Sequence, residues 1–358
     1  MTDSRQSEGR ATLRDVARSA GVSTSTASLV FSGKGPVAPA TLERVRAAAV
    51  ALGYAGPDPL ASSLRAGRAG VVGVLVEGRL RDAFRDPFAV TILDGLAAVL
   101  DTIPVGMLLL AQDITDHGRA VAQLSTTALD AVVFSLCGPD DNPAVDHLAA
   151  RGIPMIGTGA PADPRVTQVL IDERGAIATA TDHLRSLGHE RIAMVAMPLS
   201  PDRRTGPVSE ERLRTATYAD ARERAHGFRS VMGADAPIVE VPMPGVEEAR
   251  AAAASLLDLP ADERPTGIVA QSDLLAAGVI RAAEERGLSV PEDLSVTGFD
   301  GIDLPWLAHT LTTIDQHATA KGTRLGDLVA RALTGEPIAD VTLPTALRIG
   351  TTTAPPHP

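Results

Sequence analysis

From residue 71 onward one pattern recurs: a short apolar run, then a longer stretch with apolar residues at helical spacing. The first run is Val71-Val72-Gly73-Val74-Leu75-Val76, and similar runs occupy 105–110, 131–136, 153–156, 166–171, 192–196, 238–241, 267–270 and 294–297. A strand with one wet face alternates apolar and polar residues, whereas a run apolar throughout is covered on both faces, as in a parallel sheet. Helical stretches lie between many of the runs, at 88–100, 119–128, 175–187, 222–232, 247–257 and 274–286. This alternation predicts doubly wound α/β architecture. The runs are more than one sheet holds comfortably, so two similar lobes with a cleft between them are expected over 71–350.

Residues 11–53 follow a different period. Leu13, Val16, Ala17 and Ala20 form a helical apolar stripe, with Thr12 and Asp15 placed for a capping box. Gly21 breaks the helix. Ser23 then caps a second helix that aims Val22, Ala27, Val30 and Phe31 inward, and Pro39 opens a third carrying Leu42, Val45, Ala49 and Leu52. Two short helices around a tight glycine turn, braced by a third, make a helix-turn-helix. Its second helix is shaped for a DNA major groove, with Thr24, Ser25 and Leu29 outward.

Charge agrees. Residues 1–70 hold nine Lys/Arg and five Asp/Glu, a net of +4, while the remaining chain carries −15 and the whole −11. A basic head on an acidic body suits a polyanion-binding module joined to a separate domain. The single cysteine, Cys137, excludes an intramolecular disulfide and a cysteine zinc cluster, and is expected to pack as a small hydrophobe. No apolar run reaches the ~18 residues of a membrane span. Residues 1–10 are polar, lack a signal-peptide core and are expected to be disordered, and a cytoplasmic protein is the expectation.

The wording of these segments resembles the lac repressor (LacI/GalR) family. In the head the resemblance rests on Thr12-Leu13-Arg14-Asp15-Val16-Ala17, Ala20-Gly21-Val22-Ser23, Thr26, Ser28, Val37, Arg44-Val45 and Leu52-Gly53-Tyr54. In the body it rests on Leu187-Gly188-His189-Glu190-Arg191-Ile192, Gly227-Phe228, Gln271-Ser272-Asp273, Val290-Pro291-Glu292-Asp293 and Gly298-Phe299-Asp300. It implies a DNA-binding domain over 11–58, a hinge helix or linker over 59–70, and a periplasmic-binding-protein-like body over 71–350. The first lobe is expected over about 71–172 and 304–325, the second over about 173–303 and 326–350, with a disordered tail at 351–358.

For the head, the resemblance implies phosphate contacts from Thr12, Arg14, Ser23, Thr26, Ser28, Ser32, Lys34 and Thr41, with base readout by Thr24, Ser25 and Leu29. Many relatives carry arginine at the place of Leu29, and Ala38 replaces a common hydroxyl residue. In the hinge, Leu64, preceded by Ala61, is the expected minor-groove wedge. The spacing from Tyr54 to Ala61 is one residue longer than the common pattern. In the cleft the implied effector contacts are Arg224, Ser272 and Asp300, with Phe88, Trp306 and Phe84 as candidates for an apolar wall or for core packing. A carboxylate ending a parallel strand sits where open α/β sheets bind ligands, and an arginine fork suits hydroxyls or anions.

The expectation is a homodimeric repressor on a pseudo-palindromic operator, controlled by a sugar-like small molecule, with purine- or nucleoside-responsive control as the alternative and a sugar-binding solute receptor as the rival from another class. No nucleophile elbow, metal-ligand spacing or dinucleotide loop occurs, so neither enzyme chemistry nor a cofactor is expected. Residues 203–224 read as a charged, solvated loop.

Overall fold

A computed structural model describes residues 11–33, 35–56, 67–112, 117–135 and 138–357. Lys34, Ala61, Leu64 and Cys137 lie outside the described residues. The chain folds as two units that part between Ala69 and Gly70.

The head contains α1 (Leu13–Ser19), α2 (Thr24–Ser32) and α3 (Pro39–Ala51). Thr12 and Asp15 form the reciprocal cap: Asp15 Oδ2 accepts from the Thr12 backbone at 3.0 Å while Thr12 Oγ1 accepts from Asp15 N at 3.3 Å. The Thr12 hydroxyl also donates to Asp15, and these bonds hold the Asp15 carboxyl below its ordinary pKa. Gly21 turns the chain at φ 64°, and Ser23 Oγ caps α2 by accepting from Thr26 N at 3.0 Å. Val16, Ala17, Ala27, Val30, Val45 and Ala49 make the core, with Phe31 edge-on to Tyr54 at 5.3 Å. Leu52 corrects the expected inward stripe: it follows the end of α3 and is 40% exposed, and Ala48 takes the inner place.

The first lobe of the body contains β1 (Val71–Glu77), α4 (Leu80–Ala83), α5 (Pro87–Leu100), β2 (Gly106–Gln112), α6 (His117–Thr126), β3 (Ala131–Phe134), α7 (Ala144–Ala150), β4 (Met155–Gly157) and β5 (Val166–Leu170). The second contains α8 (Glu173–Ser186), β6 (Ile192–Ala196), β7 (Gly206–Pro207), α9 (Glu210–Arg214), α10 (Ala219–Met232), β8 (Ile238–Glu240), α11 (Val246–Leu257), β9 (Gly267–Ala270), α12 (Asp273–Glu284), β10 (Ser295–Asp300) and β11 (Thr312–Asp315). Then follow α13 (Ala318–Thr334), β12 (Val341–Thr342) and β13 (Ala346–Arg348).

Among the described residues there are two sheets, in the orders β12-β5-β4-β3-β1-β2 and β13-β11-β10-β9-β6-β8-β7. The first is parallel throughout. The second is parallel except at its edges, where β13 and β7 run antiparallel. β1 shows why a continuous apolar run was needed: Val72, Val74 and Val76 enter the core beneath α5 and α13, while Leu75 enters the core on the opposite face.

The lobe boundaries differ from expectation. β11 pairs with β10 and so belongs to the second lobe, while α13 packs on α5 and β12 pairs with β5 in the first. The chain therefore passes between lobes at 171–173, 315–318 and 342–346, not near 303–304 or 325–326. Close packing is the cause. A side chain on Gly322 would run into the Ile92 carbonyl, and one on Gly326 would meet Val99, so the glycine face of α13 fits only against α5.

Two further expectations are corrected. Residues 351–357 are docked, because Thr352 is fully buried beside β10, exchanging backbone and hydroxyl hydrogen bonds with Val296 at 2.8 and 2.7 Å. Residues 203–224 contain α9 and the start of α10, and Arg212 is buried with Glu240, Nε to Oε2 2.8 Å. A charged stretch reads as solvated until its partner is known. Here the partner is the buried last residue of β8.

Candidate functional site

In the head, α2 presents a hydroxyl-rich N-terminus. Ser23 Oγ lies 2.7 Å from Ser25 Oγ and 2.8 Å from Thr26 Oγ1. Thr12, Arg14, Ser23, Thr24, Ser25 and Ser32 are exposed, and Thr26, Ser28 and Thr41 are partly so. Leu29 is 38% exposed and leans on Gly35, where a Cβ would come within 3.2 Å of its methyl group. Ala38 gives α3 no side-chain cap. Amide N–H groups at a helix N-terminus, ringed by hydroxyls, favour phosphate oxygens.

In the body, Asp300 ends β10 in a left-handed conformation, φ 122°, and is buried. Its Oδ1 accepts from Gln316 Nε2 at 2.7 Å, and Gln316 Oε1 accepts from Lys321 Nζ at 2.9 Å. Burial raises the Asp300 carboxyl well above its ordinary pKa; the charges of Asp273 and Asp86 add to this and that of Arg224 opposes it. Asp273 is pushed up to about 7, first by burial, although Thr313 Oγ1 donates to it at 2.6 Å and Ile302 N at 2.7 Å.

Arg224, on α10, is 3% exposed. Its Nε donates to Glu173 at 2.6 Å, its Nη1 donates to the Gln271 carbonyl at 2.6 Å, and its guanidinium lies 3.7 Å from the Phe299 ring centroid. Ser272 is buried beside it and its Oγ caps α12 by accepting from Leu275 N at 3.2 Å. Phe88 is partly buried at the start of α5, with Lys321 Nζ 5.8 Å from its ring centre. Trp306 and Phe84 are 58% and 61% exposed, so neither is a core residue; Leu304 is the nearby apolar residue that enters the second-lobe core.

Arg224, Ser272, Asp300 and Phe88 thus lie around one set of interacting charges. Sequence reasoning missed Asp86, Gln316, Lys321 and Glu77. Glu77 had a signal: it is the carboxylate at the end of the first apolar run, the same position that Asp300 holds in the second lobe. Burial pushes its pKa up to about 7, with the Tyr218 hydroxyl opposing and Asp220 adding to the rise. Gln316 had none, since it belongs to a crossing the sequence did not locate.

A hollow of about 580 Å³ opens at the second crossing, lined by Thr91, Asp315, His317, Thr323, Arg324 and Asp327 among others. Arg224, Asp300 and Phe88 do not line it. No group of three His, Cys, Asp or Glu among the described residues could hold a metal, and no helix there is long and apolar enough to cross a membrane.

Comparison with known proteins places this geometry. Residues 12–56 match the bacterial regulatory proteins of the lacI family, and residues 181–353 match the periplasmic binding protein-like domain. An HTH-type transcriptional regulator of Mycobacterium tuberculosis is 34% identical over 364 residues, which cover 97% of this chain and 98% of the relative. The crystal structure of a LacI-family transcriptional regulator from Corynebacterium glutamicum superposes with a TM-score of 0.72 at 28% identity, covering 98% of this chain and all of that one. The complex of the transcriptional regulator CelR with cellobiose superposes at 0.67 and 27% identity, over 96% of this chain and all of its own. A helix-turn-helix head, two parallel-sheet lobes and near-full-length similarity to such regulators make this chain a member of the lacI family of bacterial regulatory proteins, which are DNA-binding transcriptional regulators.

Proposed function

We propose that the protein is a homodimeric, cytoplasmic repressor that binds a pseudo-palindromic operator and is controlled by a sugar or glycoside held between its lobes. The observation that carries the ligand class is the Asp300–Gln316–Lys321 chain. Gln316 donates to one oxygen of this buried carboxylate, and the Asp273 backbone N–H reaches the other at only 3.5 Å, which leaves lone pairs there for ligand hydroxyls. Arg224 is already engaged with Glu173, and burial favours the uncharged forms of Asp86 and Asp300. An uncharged polyol suits this site better than a phosphorylated ligand. The cellobiose held by the structural neighbour CelR supports the same class.

On DNA, Thr12, Arg14, Ser23, Thr26, Ser28, Ser32, Lys34 and Thr41 contact phosphates, Thr24 and Ser25 read base edges, and Leu29 meets a thymine methyl. Leu64, with Ala61 before it, wedges the minor groove at the operator centre. The ligand prefers one lobe arrangement and thereby biases the hinge segment and operator affinity. The partly buried Phe88 ring also suits a nucleobase face, which keeps a nucleoside as the second reading.

Thermal shift against cellobiose, other glycosides, nucleosides and sugar phosphates tests the proposal. A polyol that raises the melting temperature of the native chain, and not that of Asp300→Ala, supports it. Stabilisation by sugar phosphates alone would overturn the ligand class.

A further inference from the structure

A second set of contacts joins the lobes, away from the points where the chain crosses. Three strand spacings separate β5 from β1 in one sheet, and three separate β11 from β6 in the other. At ~4.8 Å each, that is about 14 Å from the crossing side of the cleft. There the loop before α7 meets the segment leading into α10. Pro139 and Tyr218 form an antiparallel bridge, and Asp140 N donates to the Thr217 carbonyl at 2.8 Å. Arg222 Nη1 donates to Asp140 Oδ2 at 2.8 Å, and the Tyr218 hydroxyl donates to Glu77 at the end of β1. Glu77, Pro139 and Asp140 belong to the first lobe; Thr217, Tyr218 and Arg222 belong to the second.

Both sides of this contact are hydrogen-bonded into their own lobes. Thr217 N and Tyr218 N donate to the Leu199 carbonyl at 2.9 and 3.1 Å, and Leu199 N donates to Glu240 Oε1 at 2.8 Å. Glu240 is the buried partner of Arg212, so the ion pair under α9 ties the Tyr218 backbone to β8. On the first lobe, Asp140 O accepts from Ala162 N at 2.9 Å. Gly138 lets the loop pass close to Glu77, since a Cβ there would stand 3.1 Å from Oε2. A bond between two rigid bodies at the mouth of a cleft resists opening, whereas the same bond on a loose loop would follow the motion.

We propose that Tyr218–Glu77 and Arg222–Asp140 form a latch across the cleft mouth that holds the lobes together. The backbone bonds at 139–140 and 217–218 complete it. Any ligand for the cleft then enters by breaking the latch, and the latched fraction sets how much binding energy is spent on opening.

The test uses the full ligand-free chain and needs neither operator nor effector, so it stands apart from the reading of the ligand. Hydrogen exchange over 138–142 and 217–222 is compared with exchange over 273–284 inside the second lobe. The pair Tyr218→Phe with Arg222→Gln should speed exchange over 138–142 by about tenfold or more, leave 273–284 unchanged and raise the radius of gyration. Unchanged exchange and unchanged size would overturn the latch. Should the pair loosen 273–284 as well, Asp140→Asn decides, because the substituted residue belongs to the first lobe and leaves the second lobe's sequence unchanged. Faster exchange over 217–222 in that variant supports the latch, and no change there rejects it.

Discussion

Gln316 donates to Asp300 across the point where the chain leaves the second lobe for the first. Asp300 ends the β10 strand, Gln316 lies in the 315–318 crossing, and Lys321, bonded to Gln316, lies one turn into α13 of the first lobe. A ligand that competes for Asp300 therefore acts directly on the connection between the lobes.

Asp300→Ala should abolish the ligand-dependent change in operator binding while leaving ligand-free DNA affinity within about twofold. Gln316→Ala should keep ligand binding but weaken its coupling to DNA. Fluorescence anisotropy with a labelled operator, with and without a stabilising sugar, measures both. A normal response from Asp300→Ala would remove the cleft assignment.

Ser23→Ala removes the side-chain cap of α2 and should cost the head about 1 kcal/mol. Exchange of the α2 amides in the full chain reads this, and operator affinity should fall with it. Protection equal to that of the native chain would show that the cap contributes nothing.

Glu77 and Asp273 both bind protons more tightly in the folded chain than in the unfolded one, burial being the first cause at each. Their contribution to stability is therefore complete below the ordinary carboxylate range, near pH 4, and is lost as pH rises through about 7. Tyr218 and Asp220 are the groups that act on Glu77, and Asp220 adds to the loss by like-charge repulsion. Melting temperature should drop between about pH 4 and about pH 7, and Glu77→Gln and Asp273→Asn should each flatten the slope. An unaltered slope in both variants would exclude these acids as its source.

Gly322→Ala should destabilise the first lobe by about 3 kcal/mol, because the new methyl meets the Ile92 backbone of α5, which cannot swing aside. Urea unfolding checks it. A native-like midpoint would mean that α13 and α5 slide apart at little cost.

This same contact explains what was legible in the sequence. The head was readable to the residue at its caps, since Thr12, Asp15, Gly21 and Ser23 act within one turn of their own positions. The central strands of both lobes were readable because burial on two faces leaves a mostly apolar run, whereas β7, β11, β12 and β13, short or polar, were not read as strands. α13 was not. Its packing face is Lys321, Gly322, Leu325 and Gly326, and glycine in a helix reads as a break until the partner helix is known. Setting a lobe boundary at 325–326, inside α13, displaced the division of the chain and hid Gln316. Arg212 failed likewise: its partner Glu240 lies on β8, outside the window that local pattern can see.

The discontinuity of the first lobe also orders the life of the chain during synthesis. The head leaves the ribosome first and needs nothing downstream for its core. The first lobe does not finish in its turn. The face of α5 bearing Ile92 and Gly95 waits for α13, and β5 waits for β12, until the second lobe has been made. Throughout that interval a nascent chain carries a completed helix-turn-helix and an uncovered apolar sheet face at once. Translation speed across 173–315 thus sets how long the half-built sensor stays open to chaperones or to aggregation.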